Sequence, residues 1–257
     1  MKTALILMLA PLAAFAGSPF DGKWKMDYTT QRVLQAYESG WEVRNGTYKC
    51  TKNCQDRIGE VKADGEPHPI KNHAATNQLT VDASSPTVIK RSYAQGTKPL
   101  YVVVDELSAD GQSLAETVTD YTGTQPIEQR TEMRRIGAPD PATHKTSGVW
   151  AWDDKPSSGT DVTQIVTVTA TGIRVDSNGQ ITEGKFDGKE YPTGGDPTHT
   201  MNTFKRTGER SLEWTSERPG SSGTVVWVVA PDGKALTDTY SSAIEGYKLS
   251  VVWRKQL

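Results

Sequence analysis

Cysteine and histidine are scarce in this chain: two Cys and four His among 257 residues. Charge of one sign is missing too, with 29 Lys and Arg against 31 Asp and Glu, a net −2. That balance gives no electrostatic reason to expect nucleic acid or an anionic membrane as partner. The catalytic signatures are also missing. There is no Gly-x-Ser-x-Gly elbow, no phosphate-binding Gly-x-x-x-x-Gly-Lys-Ser/Thr and no Gly-x-Gly-x-x-Gly after a strand. His68, His73, His144 and His199 lie in turn-rich or linker segments without a nucleophile pattern, so no catalytic residue is assigned and an enzyme is the least favoured class. No segment sustains a helical period. The nearest, QRVLQAYESGW (31–41), is short and reads either as one helical turn or as an extended entry strand.

Only one long apolar run exists, ALILMLAPLAA at 4–14, after Lys2 and before the small-x-small triplet Ala14-Phe15-Ala16. This is the layout of a secretory signal, residues 1–16, cut after Ala16. The run is short of the about 20 residues a membrane span needs. The mature chain is therefore expected to be periplasmic or secreted, without a transmembrane segment. In an oxidising compartment Cys50 and Cys54, in YKCTKNC, read first as a disulfide. With His68 and His73 they also approach a zinc-ligand spacing, but Pro67 and Pro69 exclude the helix of a zinc finger. No metal and no cofactor is assigned.

Several landmarks recur in order. Gly22-Lys23-Trp24 returns as Gly148-Val149-Trp150, 126 residues on. Asp64-Gly65 and Pro69 return 123 residues on as Asp187-Gly188 and Pro192, Asp110-Gly111 returns after 122 as Asp232-Gly233, and Arg134 returns after 120 as Arg254. The drift is small, which indicates a duplication: unit 1 at 17–137, a linker at 138–146 rich in Pro, Ala and Thr, and unit 2 at 147–257. Segments such as TVIKRSY, LYVVVDEL, QIVTVTAT, TVVWVVA and KLSVVWRK have strand composition. Asp110-Gly111, Asp232-Gly233, Asn45-Gly46 and Asn178-Gly179 are hairpin turns between them. The fold class is all-β: two tandem antiparallel barrels, since closure removes exposed edges, with a flatter sandwich as the alternative.

A Gly-x-Trp on the first strand with an Arg on the last resembles the lipocalin and calycin arrangement. The resemblance implies that the Trp closes one end of a barrel and the Arg packs across its ring. Trp24 would then pair with Arg134 or Arg135, and Trp150 with Arg254. TYKCTKNC, VKADGEPHP and LSADGQSL also resemble small exported bacterial proteins of unknown function. That resemblance implies a fold and a compartment rather than an activity.

Period-two alternation in unit 2 places Trp214, Trp227, Tyr240 and Trp253 on inward faces. They either fill a solid core or line a cavity for an apolar ligand. In unit 1 the repeat sets Asp105 opposite Trp227 and Met133 opposite Trp253. An inward Asp105 is costly unless it is paired. The functional expectation is a non-enzymatic binding protein for a small apolar or amphipathic molecule. The alternative is an interaction or inhibitor module of the cell envelope, with solid barrels that bind another protein through their loops.

Overall fold

A computed structural model describes residues 17–35, 37–53, 58–71, 75–218, 221–243 and 246–256. The signal segment 1–16, Cys54 and His73 lie outside the described residues. All described secondary structure is β. The strands of the first half are β1 (Gly22–Gln35), β2 (Glu38–Arg44), β3 (Thr47–Lys52), β4 (Val61–Lys62), β5 (Asp64–Pro69), β6 (Gln78–Asp82), β7 (Val88–Gln95), β8 (Lys98–Leu107), β9 (Ser113–Asp120) and β10 (Ile127–Ile136). The second half supplies β11 (Gly148–Trp152), β12 (Ser158–Gly159), β13 (Thr163–Val168), β14 (Gly172–Ser177), β15 (Gln180–Lys185), β16 (Glu190–Gly194), β17 (Met201–Arg206), β18 (Ser211–Arg218), β19 (Ser221–Val229), β20 (Ala235–Ser242) and β21 (Lys248–Lys255). Of the segment 31–41, residues 31–35 end β1 and residues 38–41 begin β2.

The strands form two antiparallel barrels, and the halves exchange their first strands. The closed barrel has the order β1-β13-β14-β15-β16-β17-β18-β19-β20-β21. The other sheet runs β4-β3-β2-β11-β10-β9-β8-β7-β6-β5, with β12 added to β10. It is nearly closed, because its two ends, β4 and β5, are joined through Ala63 alone. Thus β1 lies between β13 and β21 of the second half. In turn β11 lies between β2 and β10 of the first. The linker divides the chain but not the sheets. Below, the barrel around β2–β10 is the first barrel and the closed one is the second.

Local chemistry accounts for the hairpins. Asn45-Gly46 and Asn178-Gly179 both hold left-handed backbone at each position, φ 51° and 71° for the first pair and 51° and 78° for the second. Such turns match the twist of the strands they join.

The cation–Trp arrangement exists in both barrels, but its pairing is crossed. Trp150 lies in the first barrel beneath Arg135, whose Cζ is 4.1 Å from the ring centroid. Trp24 lies in the second beneath Lys255, with Nζ 5.2 Å away. The expected partners Arg134 and Arg254 are both exposed, and Arg254 pairs with Asp27 at 3.2 Å. The two ends are built alike. Trp24 donates its indole N–H to the Phe20 carbonyl at 2.8 Å, and Trp150 donates to Thr146 at 2.9 Å, each four residues back. Gly22 and Gly148 sit at φ 127° and 139°, and a Cβ there would meet the Lys255 or Arg135 side chain at 2.9 and 2.7 Å. Arg135 also donates to the carbonyls of Gly111, Ser147 and Lys145, all at 2.7 Å, which ties the first barrel's end together.

Each barrel has its own core. The first gathers Trp41, Val43, Leu79, Val81, Ile89, Leu114, Met133 and Trp150. The second gathers Phe20, Trp24, Val166, Ile173, Phe204, Leu212, Trp227, Leu236 and Trp253.

Candidate functional site: the barrel interiors

In the second barrel, strand register sets which side chains meet. On β18 and β19, Leu212 faces Trp227, Trp214 faces Val225 and Ser216 faces Gly223. On β20, Asp238 faces Trp227 and Tyr240 faces Val225. On β21, Trp253 faces Leu236 and Val251 faces Asp238. All are inward positions, as the alternation demands. Trp24, Leu212, Trp227 and Leu236 are fully buried and close one end. Trp214 and Tyr240 are half-buried further along. The Trp214 and Trp227 rings meet edge-to-face at 4.5 Å, and Phe204 lies 6.2 Å beyond Trp214. Gly223 leaves room for the Tyr240 ring, since a Cβ there would stand 2.3 Å from its hydroxyl.

The opposite end of this interior is polar. Thr182 Oγ1 lies 3.2 Å from Thr193 Oγ1. Asn202 donates to Thr193 Oγ1 at 2.8 Å and accepts from the Ser216 hydroxyl at 2.7 Å. An aromatic floor beneath a chain of hydroxyls and an amide suits a molecule with an apolar body and a polar end.

Asp238 stands among the aromatic rings. The Trp253 indole N–H donates to its Oδ2 at 3.3 Å. Burial pushes its pKa up to about 6, against the opposing pull of the Trp227 and Trp253 N–H groups. The Trp227 N–H makes no hydrogen bond among the described residues, so its influence on the carboxylate is that of a dipole held just out of bonding range.

The first barrel carries an ion cluster at the matching level. Asp105 faces Ile89 and Glu116 just as Trp227 faces Leu212 and Asp238. Arg91 matches Trp214 by the same register, each facing a valine (Val103 and Val225). Arg91 Nη2 is 2.6 Å from Asp105 Oδ2 and 3.6 Å from Glu116 Oε2. Its guanidinium lies 4.7 Å over the Trp41 ring. Asp105 is 0% exposed, so the inward aspartate is paired, as its burial requires. Burial, then the neighbouring Asp105 charge, push Glu116 up to about 7, against the attraction of Arg91. Asp105 is raised chiefly by burial.

The structure thus brings Trp214, Trp227, Tyr240 and Trp253 to one interior. Asp238, Arg91 and Glu116 were missed by sequence reasoning, although the signal was present. Asp238 stands two residues from Tyr240, which alternation places inward. Cys50 lies on β3 and Cys54 outside the described residues. His68 lies on β5, with Nε2 2.8 Å from Asp64 Oδ1. His144 binds the Ser85 carbonyl at 2.6 Å and holds the linker against the first barrel. No helix among the described residues is long and apolar enough to cross a membrane.

Comparisons with protein-family models, with curated proteins and with solved structures found no match.

Proposed function

We propose that this chain is an exported, non-enzymatic binding protein of lipocalin-like type, and that its second barrel holds a small apolar or amphipathic molecule. The observation that carries the reading is the division of that interior. Trp24, Trp227, Leu212 and Leu236 form its apolar floor. The Thr182, Thr193, Asn202 and Ser216 chain forms its polar end, and Trp214 and Tyr240 keep accessible surface between the two. The first barrel, blocked at the same level by Arg91, Asp105 and Glu116, is the poorer host for an apolar body. Export rests on the segment 1–16, and a Cys50–Cys54 disulfide would suit the oxidising compartment it implies.

The test is binding of fatty acids and hydrophobic dyes to the mature protein, with stability measured in parallel for Trp227→Ala. A wall residue of a ligand cavity loses binding with modest destabilisation. A packed core position costs about 3–5 kcal/mol. Loss of that size, together with no binding by the parent protein, would leave a solid scaffold that works through its loops as an interaction or inhibitor module.

A further inference from the structure

Resting on that reading, we infer that the ligand of the second barrel is an organic cation, an amine or quaternary ammonium carried on an apolar tail, with its charged head held at Asp238 inside the ring of Trp214, Trp227, Trp253 and Tyr240. Three observations support this. The first is the missing counter-ion. The side chains that face Asp238 are Trp227 from β19, Val251 and Trp253 from β21, and Leu236 and Tyr240 on its own strand. Tyr240 is the only titratable group among them, and no cation among the described residues acts on the Asp238 carboxylate. A half-buried carboxylate among apolar rings without a cation is costly, and a cationic guest reduces that cost.

The second observation is the aromatic surround. Trp227 and Trp253 are buried, while Trp214 and Tyr240 keep accessible surface. The Trp253 and Trp227 N–H edges are turned to the carboxylate, so the aromatic surface left for a cationic head is that of Trp214 and Tyr240, whose quadrupoles favour an ammonium group. The Trp227 N–H, 1% exposed and without a hydrogen-bond partner among the described residues, is directed at the same carboxylate and favours its ionised form.

The third is the other barrel, which contains its own answer. At the equivalent level Arg91 supplies a built-in cation. It is stacked on Trp41 and bonded to Asp105, with Glu116 at the position of Asp238. The second barrel keeps the acid but replaces the arginine with Trp214 and the Asp105 position with Trp227. The duplicated site therefore retains the carboxylate, exchanges the internal cation for rings, and is complete when a cation enters from outside.

The probes are octyltrimethylammonium and 1-octanol, both below any micellar concentration, titrated into the full mature protein with tryptophan fluorescence and calorimetry. Near pH 8 the cation should bind at least about tenfold tighter than the alcohol, the scale of one ion pair beside aromatic surface. That preference should shrink near pH 5, where Asp238 is protonated. Asp238→Asn should remove the preference while octanol affinity stays unchanged. Trp214→Leu should weaken the cation more than the alcohol. Equal affinities, or a preference that survives both low pH and Asp238→Asn, would overturn the cation assignment and leave the apolar-ligand reading standing. Failure of both probes to bind would overturn both readings. Should Asp238→Asn fail to fold, the wild-type pH series alone decides, since a preference indifferent to pH contradicts a carboxylate-held head.

Discussion

Three inward acids, Asp105, Glu116 and Asp238, set the pH behaviour at the residue scale. The folded pKa of Asp238 is raised from 3.8 to about 6 and that of Glu116 from 4.5 to about 7. An acid raised on folding binds more protons in the native state, so its contribution is greatest below the unfolded pKa and is lost as pH rises through the folded one. Ligand-free stability should therefore fall between about pH 5 and about pH 7, above the range in which lowered carboxylates such as Asp27, Asp82 and Asp196 contribute. Urea unfolding across that range checks it. Asp238→Asn and Glu116→Gln should each flatten the slope, and a wild-type profile rising with pH would contradict the assignment. Arg91→Met should cost about 3–5 kcal/mol near neutral pH, because Asp105 and Glu116 would then share a dry site without a cation. The loss should diminish in acid as both protonate. Arg91→Met with Asp105→Leu should cost much less than the single change, since an apolar pair replaces an ion pair.

At the element scale the decisive feature is the exchange of β1 and β11. Trp150→Ala should cost about 3–5 kcal/mol. Its effect on amide exchange should fall on β2 and β10, which flank it, rather than on β13–β21 that follow it in sequence. Trp24→Ala should act reciprocally on β13 and β21. Protection lost in the mutated half instead would show that each half closes on its own first strand. The small loop after β3 offers a separate test: thiol titration of the native, unreduced protein should find neither Cys50 nor Cys54 reactive. Closing so short a loop adds about 2 kcal/mol or less.

At the scale of the whole molecule the exchange makes two barrels one body. Rings bridge them, running from Trp152 to Tyr37 at 4.8 Å, to Tyr247 at 5.0 Å and on to Tyr240 at 5.7 Å. Gln31 of β1 accepts from Ser157 at 2.6 Å and from Gln129 of β10 at 3.3 Å. At the hairpin between β14 and β15, Asn178 donates to the Gln125 carbonyl at 2.7 Å and accepts from the Gln125 backbone N–H at 3.0 Å. A protease site placed in the linker 138–146 should therefore yield a nicked protein that elutes at full size and separates only in denaturant. Two free halves after nicking would refute the exchange.

Strand positions and hairpin turns were written in the sequence, because Asn-Gly and Asp-Gly turns and period-two alternation are local requirements of the backbone and declare themselves residue by residue. So were the inward faces of Trp214, Trp227, Tyr240 and Trp253, which follow from alternation once the strands are placed. The closing end of each barrel was legible as a motif, Gly-x-Trp with a basic last strand, but its partners were not. Both first strands carry the same motif, so the motif alone is degenerate between the two arrangements. Only the tertiary structure decided, by pairing β1 with β13 and β21, and β11 with β2 and β10. The same holds for the site. Alternation puts Asp238 on the face of Tyr240, but it is closure that encloses that face and sets the carboxylate among rings. The rings and the missing counter-ion become meaningful only there, where a charge has little water to fall back on.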